Sequence, residues 1–339
     1  MALIVIAADK GAPGVTTTAL ALAAVWPRRV LLAECDPSGG DLVYRFPAAQ
    51  GNSLDPRRGL LTLAVAARRG LQPGQLWEHT QKMVGGLDVL TGVINAEQGA
   101  GLATLWGPLG GLLAGMSGGD VIADCGRLGV DGPQYDLIAQ AAVVLLVTRP
   151  TPGDVIRLRD RAAAVASAAN ARGRRGFTSA AAVIADQRML RTSAAETGQA
   201  LAQGNVPATV LGWLALDAKG AELLRGEWGG RLDKTLLIRT ARETAQQLAA
   251  SLPAARDDDS GPRPTPSQPT RGQSARTQSV QPPYPPAGQQ QYPQGPEAQA
   301  PQQYLPGQQQ RGAGGRHSTL AQPAGAAAPE AGDGRWTTP

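Results

Sequence analysis

Residues 2–8 read ALIVIAA, seven apolar residues without a polar interruption, and the next ten read DKGAPGVTTT. A strand with one wet face alternates polar and apolar side chains, so an unbroken run of this length marks a strand covered on both faces. That is the condition of a parallel sheet with helices packed above and below it. The glycines that follow supply a sharp turn, and TTTALALAAV (residues 16–25) has the composition of a helix opened by a threonine. The chain therefore starts as a strand–turn–helix unit.

The same alternation continues. RRVLLAE predicts a second strand, and residues 87–91, 120–124, 142–148, 180–185 and 208–214 predict five more. Helical stretches separate most of them, including 152–169 and 236–252. The expected fold is α/β, a doubly wound and mostly parallel sheet joined by right-handed crossovers. At 339 residues and 42% apolar content the chain can bury a sizeable core, and with aromatics at 4% that core is made of Ala, Leu and Val.

Composition changes near Pro253. The stretch VQPPYPPAGQQQYPQGPEAQAPQQYLPGQQQ is dominated by Pro, Gln and Gly and buries too little apolar surface to offset its ordering entropy. The expected organisation is a folded domain over 1–253 and a disordered extension over 254–339. Two cysteines, Cys35 and Cys125, make no disulfide framework and suit a reducing cytoplasm, where they read as small buried apolar groups. No basic region precedes ALIVIAA, and Asp9 and Lys10 end that run after a strand's length, so no signal peptide is expected. No apolar run reaches the roughly 18 residues of a membrane span, so no transmembrane segment is expected. The net charge of +5 permits an acidic partner without naming one.

In sheets of this kind ligands sit beyond the carboxyl ends of the strands. A glycine-rich turn from strand into helix directs backbone N–H groups and the positive end of a helix at an anion. Gly11 and Gly14 allow close backbone approach, Thr16 offers a hydroxyl to a magnesium ion, and Thr17 offers one to a phosphate. Glu34 and Asp36 end the second strand, and Asp124 ends the fourth.

The pattern Lys10-Gly11-Ala12-Pro13-Gly14-Val15-Thr16-Thr17 resembles the deviant phosphate-binding (Walker A) loop of the ParA/MinD family of P-loop ATPases, usually written KGGVGKTT. VLLAECDPSGGDL, GLDVLTG, GDVIADCGRLG, VLLVTRPTPGDVIRLRD and LGWLALDAKGAELLRG resemble further family segments in matching order, so the resemblance covers roughly residues 1–250. It implies ATP and Mg2+ as cofactors. Lys10 falls on the signature lysine that reaches the partner subunit's nucleotide, and residues 11–17 on the cofactor-binding loop. Asp36 falls on the residue that positions the attacking water, and Asp124 on the one that orders the water shell of magnesium. Asp217 falls on the aspartate of the family's late G-x-I-P-x-D turn. Val15 replaces the ordinary Walker lysine, and Asp186 stands where the family often has an adenine-reading Asn.

What the resemblance implies is a cytoplasmic nucleotide-binding protein that dimerises with ATP to position cargo, such as a chromosome, a plasmid, or division or secretion machinery. Its hydrolysis is expected to be weak or lost. Two alternatives stay open: a non-catalytic scaffold, and a CpaE/TadZ-type localisation factor, a subgroup whose loop also loses the lysine. Nonspecific DNA is a candidate partner through Arg157, Arg159, Arg161, Arg172, Arg174 and Arg175, although a solvated face explains the same residues. The extension is a candidate tether for a protein partner. Trp26, Trp77, Trp106, Trp213 and Trp228 read as packing residues.

Overall fold

The computed structural model describes residues 1–10, 14–70, 73–130, 132–174, 179–225 and 231–252. Gly11, Ala12, Pro13, Arg175, Trp228 and the extension after Leu252 lie outside the described residues.

Eight strands form one sheet: β1 (Leu3–Ala8), β2 (Val30–Glu34), β3 (Gln81–Lys82), β4 (Asp88–Leu90), β5 (Asp120–Arg127), β6 (Val143–Thr148), β7 (Ser179–Ala185) and β8 (Ala208–Ala215). Their order is β3-β4-β2-β5-β1-β6-β7-β8. Every pairing is parallel except β3 with β4. Seven strands match the expected ones. Sequence reading misses β3, because two residues carry no periodicity and the strand owes its existence to pairing with β4. The helices are α1 (Val15–Ala24), α2 (Leu42–Arg45), α3 (Leu60–Ala67), α4 (Ala96–Gly101), α5 (Trp106–Ala114), α6 (Tyr135–Ile138), α7 (Pro152–Ala171), α8 (Leu190–Gln203), α9 (Ala218–Leu224) and α10 (Leu236–Ser251).

The unbroken apolar run of β1 serves two cores. Leu3, Val5 and Ala7 pack on one face with α3, α5 and α7, while Ile4, Ile6 and Ala8 pack on the other with α1 and α10. The period of two along a strand sends alternate side chains to opposite faces, so both sets must be apolar. The chain leaves β1 toward β2 through α1 and leaves β6 toward β7 through α7, in opposite directions along the sheet. Right-handed crossovers place these helices on opposite faces. Cys35 and Cys125 are free and wholly buried, and burial pushes both thiols up, away from the reactive thiolate.

The β8 edge is closed by side chains. Thr244 Oγ1 accepts from Trp213 N and donates to Trp213 O, and Thr240 Oγ1 accepts from Ala215 N. These threonines of α10 satisfy backbone groups that an open edge would offer to another strand. Among the described residues no helix is long and apolar enough to cross a membrane.

Candidate nucleotide site

The loop after β1, the end of β2 and the end of β5 meet because β2, β5 and β1 are adjacent in the sheet. Gly14 is the residue before α1 and has φ +94°, a left-handed conformation that disfavours any side chain. Helix α1 therefore begins at Val15 with Gly14 as its cap, and no side chain caps it. The expected opening by a threonine is off by one residue: the backbone turn, rather than a hydroxyl, starts the helix. That leaves the first N–H groups of α1 without a side-chain acceptor, which is the arrangement an anion uses.

The two hydroxyls of the loop part company. The Thr16 hydroxyl lies beside the Asp124 carboxylate and favours its charged form. Thr17 borders an apolar cavity of about 120 Å³ shared with Gly14, Ile184, Leu214, Leu216 and Leu237. Val15 is only 4% exposed and joins the core under α1.

Asp124 is 4% exposed. Burial pushes its carboxyl up to about 6, against the hydrogen bonds from Thr16 and from Gly126 N (3.0 Å), with Asp36 and Asp41 raising it further. A buried carboxylate so placed gains from a cation, and Thr16 supplies a neutral oxygen beside it. Magnesium suits such a place, since it binds through one or two protein oxygens and keeps waters and phosphates as its other ligands.

Asp36 lies beside this pair. Its Oδ1 accepts from Ser38 N at 2.8 Å. Gly126 has φ +57°, and a Cβ there would overlap Asp36 Oδ2. The bare backbone of β5 thus leaves the space that Asp36 occupies. Gly126→Ala is expected to lose about 1–3 kcal/mol by strain and displacement, read from urea unfolding; a loss below about 0.5 kcal/mol would show that Asp36 swings away freely. Sequence reasoning missed Gly126. Its only signal is a glycine two residues after the strand-end aspartate.

Glu34 sits in register with Asp124 but faces backbone: Oε1 accepts from Asp41 N and Leu42 N, and Oε2 from Gly92 N. Burial raises its carboxyl, and the Gly92 and Leu42 amides offset part of that. It organises the loops after β2 and β4. Asp217 also works on backbone, capping α9 through Gly220 N and α10 through Leu236 N and Leu237 N. Asp186 is exposed and closes a turn with Arg188 N.

The arginines read as a candidate DNA face are largely engaged within the protein. Arg157 pairs with Asp154, Arg159 with Asp160 and Arg172 with Asp136, and Arg174 donates to the carbonyls of Ala139 and Ala141. Arg161 is 13% exposed and pairs with Asp9. Lys10 is exposed and borders a cavity of about 160 Å³ with Asp9, Arg149, Arg157 and Arg161.

No protein-family model matches the sequence, and no curated protein matches it. Solved structures do. A ParA family ATPase from Chlorobium tepidum superposes with a TM-score of 0.52 at 15% identity, over 72% of this chain and 98% of that one. The septum site-determining protein MinD from Pyrococcus horikoshii, complexed with Mg-ADP, gives 0.52 at 14% identity, over 73% and 95%. A putative plasmid partition protein from Borrelia burgdorferi bound to AMPPNP gives 0.53 at 13% identity, over 74% and 99%. Each is matched along nearly its whole length. The chain has the fold of the ParA/MinD P-loop ATPases.

Proposed function

We propose that this chain binds Mg-ATP at residues 10–17 and positions cellular cargo through nucleotide-dependent dimerisation, with hydrolysis weak or lost. The observation that carries the reading is the placement of Thr16 beside the buried Asp124 carboxylate at the uncapped start of α1. It sets a hydroxyl, a buried carboxylate and free amides around one point.

The residues fit the cofactors. Amides at the start of α1 and the Thr17 hydroxyl would hold phosphate oxygens, Thr16 would hold Mg2+, and Asp124 would bind its water. Bound magnesium supplies positive charge against the phosphates. The apolar cavity beside Thr17 would receive the base by burial rather than by an Asn contact, since Asp186 is spent on its own turn. Asp36 would orient a water by accepting its proton-bearing hydrogen bond. Lys10 would supply the cation that Val15 does not. Ile94, Val130 and Ile156 are exposed on segments after β4, β5 and β6, at the site's end of the sheet, with Val130 at 81%. Apolar side chains gathered there suit a face that a second copy covers.

In this reading residues 1–253 form the nucleotide domain, 254–339 carry a tether for a protein partner, and the protein works in the cytoplasm. DNA contact falls to whichever arginines are released from their ion pairs. A second reading, a scaffold of the CpaE/TadZ kind that binds nucleotide without turnover, is favoured by the burial of Val15, which leaves no lysine equivalent inside the loop.

Titration of the full chain with a fluorescent ATP analogue, with and without Mg2+, tests the proposal. Saturable binding that needs the metal is expected, weakened about 10-fold or more in Asp124→Ala, on the scale of a lost charge-assisted contact. Absence of binding, or equal binding in the variant, removes the nucleotide reading.

A further inference from the structure

Asp9 poses a problem for this site. It places a carboxylate immediately before Lys10, at the edge of a loop that would hold a triphosphate without an internal lysine. Left alone, Asp9 would repel the phosphates and draw the Lys10 ammonium to itself. The structure gives Asp9 another cation. Arg161, 152 residues away on α7, donates to Asp9 Oδ1 from Nε at 2.8 Å and again from Nη2. The same guanidinium donates from Nη1 to Gly129 O at 2.6 Å and to Tyr135 Oη at 2.9 Å. Both partners of the ion pair are more than four-fifths buried. Lys10 borders the same cavity and has no ion pair among the described residues.

We infer that Arg161 is a positioning residue for nucleotide binding: by neutralising Asp9 it frees Lys10 for phosphate, and it locks the loop after β5 to the loop after β1. The inference rests on the nucleotide reading above. Arg157, one helical turn earlier, cannot substitute, because it is held by Asp154. Arg149, also on the cavity wall, has no ion pair among the described residues, while Asp9 is held by Arg161. A guanidinium serves here because its planar fork reaches a carboxylate, a carbonyl and a phenol at once, which an ammonium on a flexible stem does not. Leu128 N also donates to Ala8 O at 2.9 Å, so the strand ends beneath the clamp are already joined and Arg161 extends that join to the loops.

The test is a double-mutant cycle in the full chain, reading affinity for the fluorescent ATP analogue with Mg2+. Arg161→Ala is expected to weaken binding by about 10-fold or more, as an uncompensated nearby charge does at an effective dielectric of about 20. In a Lys10→Ala background the same change should weaken it clearly less, because the captured lysine is already gone and only the direct repulsion of phosphate by Asp9 remains. Asp9→Asn combined with Arg161→Ala should restore most of the affinity. Equal losses in both backgrounds would make Arg161 a purely structural residue and overturn the inference. If Arg161→Ala melts too early to assay, Arg161→Gln retains a donor for Gly129 O and should behave the same way.

A second readout needs no nucleotide. Acetylation of Lys10, followed by mass spectrometry, should slow several-fold in the Arg161 variant and recover when Asp9 is also Asn, since an ion-paired ammonium gives up its proton less readily. Unchanged acetylation in every variant overturns the inference even if nucleotide binds. Absence of ATP binding by the unsubstituted chain, with the acetylation pattern as expected, would remove the nucleotide reading and leave the clamp standing.

Discussion

Val15→Lys is expected to lower the thermal midpoint of the nucleotide-free chain by about 5–10 °C and to gain more from Mg-ATP than the unsubstituted protein does. Two costs act without nucleotide. Val15 is buried in the core shared by α1, β1 and α10, so a longer side chain must leave its packing and carry an ammonium past apolar neighbours. A cation at the first residue of a helix also opposes the helix dipole. A triphosphate reverses the balance. Side chains on a helix lean toward its N-terminus, so the ammonium can emerge at the loop and meet the phosphates there. Thermal unfolding with and without Mg-ATP gives both numbers, and phosphate release on the same samples gives the functional one. Turnover gained only with lysine would mark the present chain as a binder that has lost hydrolysis, since one transition-state donor is worth about 100- to 1000-fold in rate. Equal turnover in both would mean that Lys10 suffices. An unchanged midpoint without nucleotide would contradict the buried placement of Val15.

The largest stability effect should come from the opposite end of the sheet. Asp120, the first residue of β5, is 2% exposed and accepts three hydrogen bonds: from Ala2 N at 2.9 Å, Trp26 Nε1 at 2.9 Å and Arg28 Nε at 2.7 Å. It ties the start of β1 and the turn after α1 to the middle of the sheet. Asp120→Ala leaves a buried indole N–H, a backbone N–H and a largely buried guanidinium without an acceptor. Breaking a buried charge pair costs about 3–5 kcal/mol, a large share of the roughly 5–15 kcal/mol that holds a domain together. Urea unfolding should show a loss in that range, with a smaller one for Asp120→Asn, which keeps an acceptor oxygen. A loss below about 1 kcal/mol would mean that water replaces the carboxylate. Because the cluster lies away from the loop after β1, any folded fraction should bind nucleotide normally.

Strand placement was legible because burial on two faces forces a contiguous apolar run, and this shows in any short window. The glycine loop was legible for a similar reason: Gly14 carries its left-handed turn in its own backbone. The carboxylates were less so. Glu34, Asp36, Asp124 and Asp217 all stand near strand ends in the sequence, yet two of them hold backbone amides and two face the site. Local pattern cannot sort them, because a carboxylate that caps a loop and one that faces a ligand have the same sequence signature.

Arg161 marks the boundary most clearly. From its spacing with Arg157 it reads as part of an exposed basic face, whereas the fold brings Asp9 to it across the sheet and buries the pair. The sequence by itself determined the α/β alternation, the glycine turn and the positions of seven strands along the chain, since each is written in residues that are neighbours in sequence. Only the tertiary structure decided which charges remain free: β1, β5 and β6 lie side by side, and that adjacency, set by pairing between distant segments, brings Asp9 to Arg161.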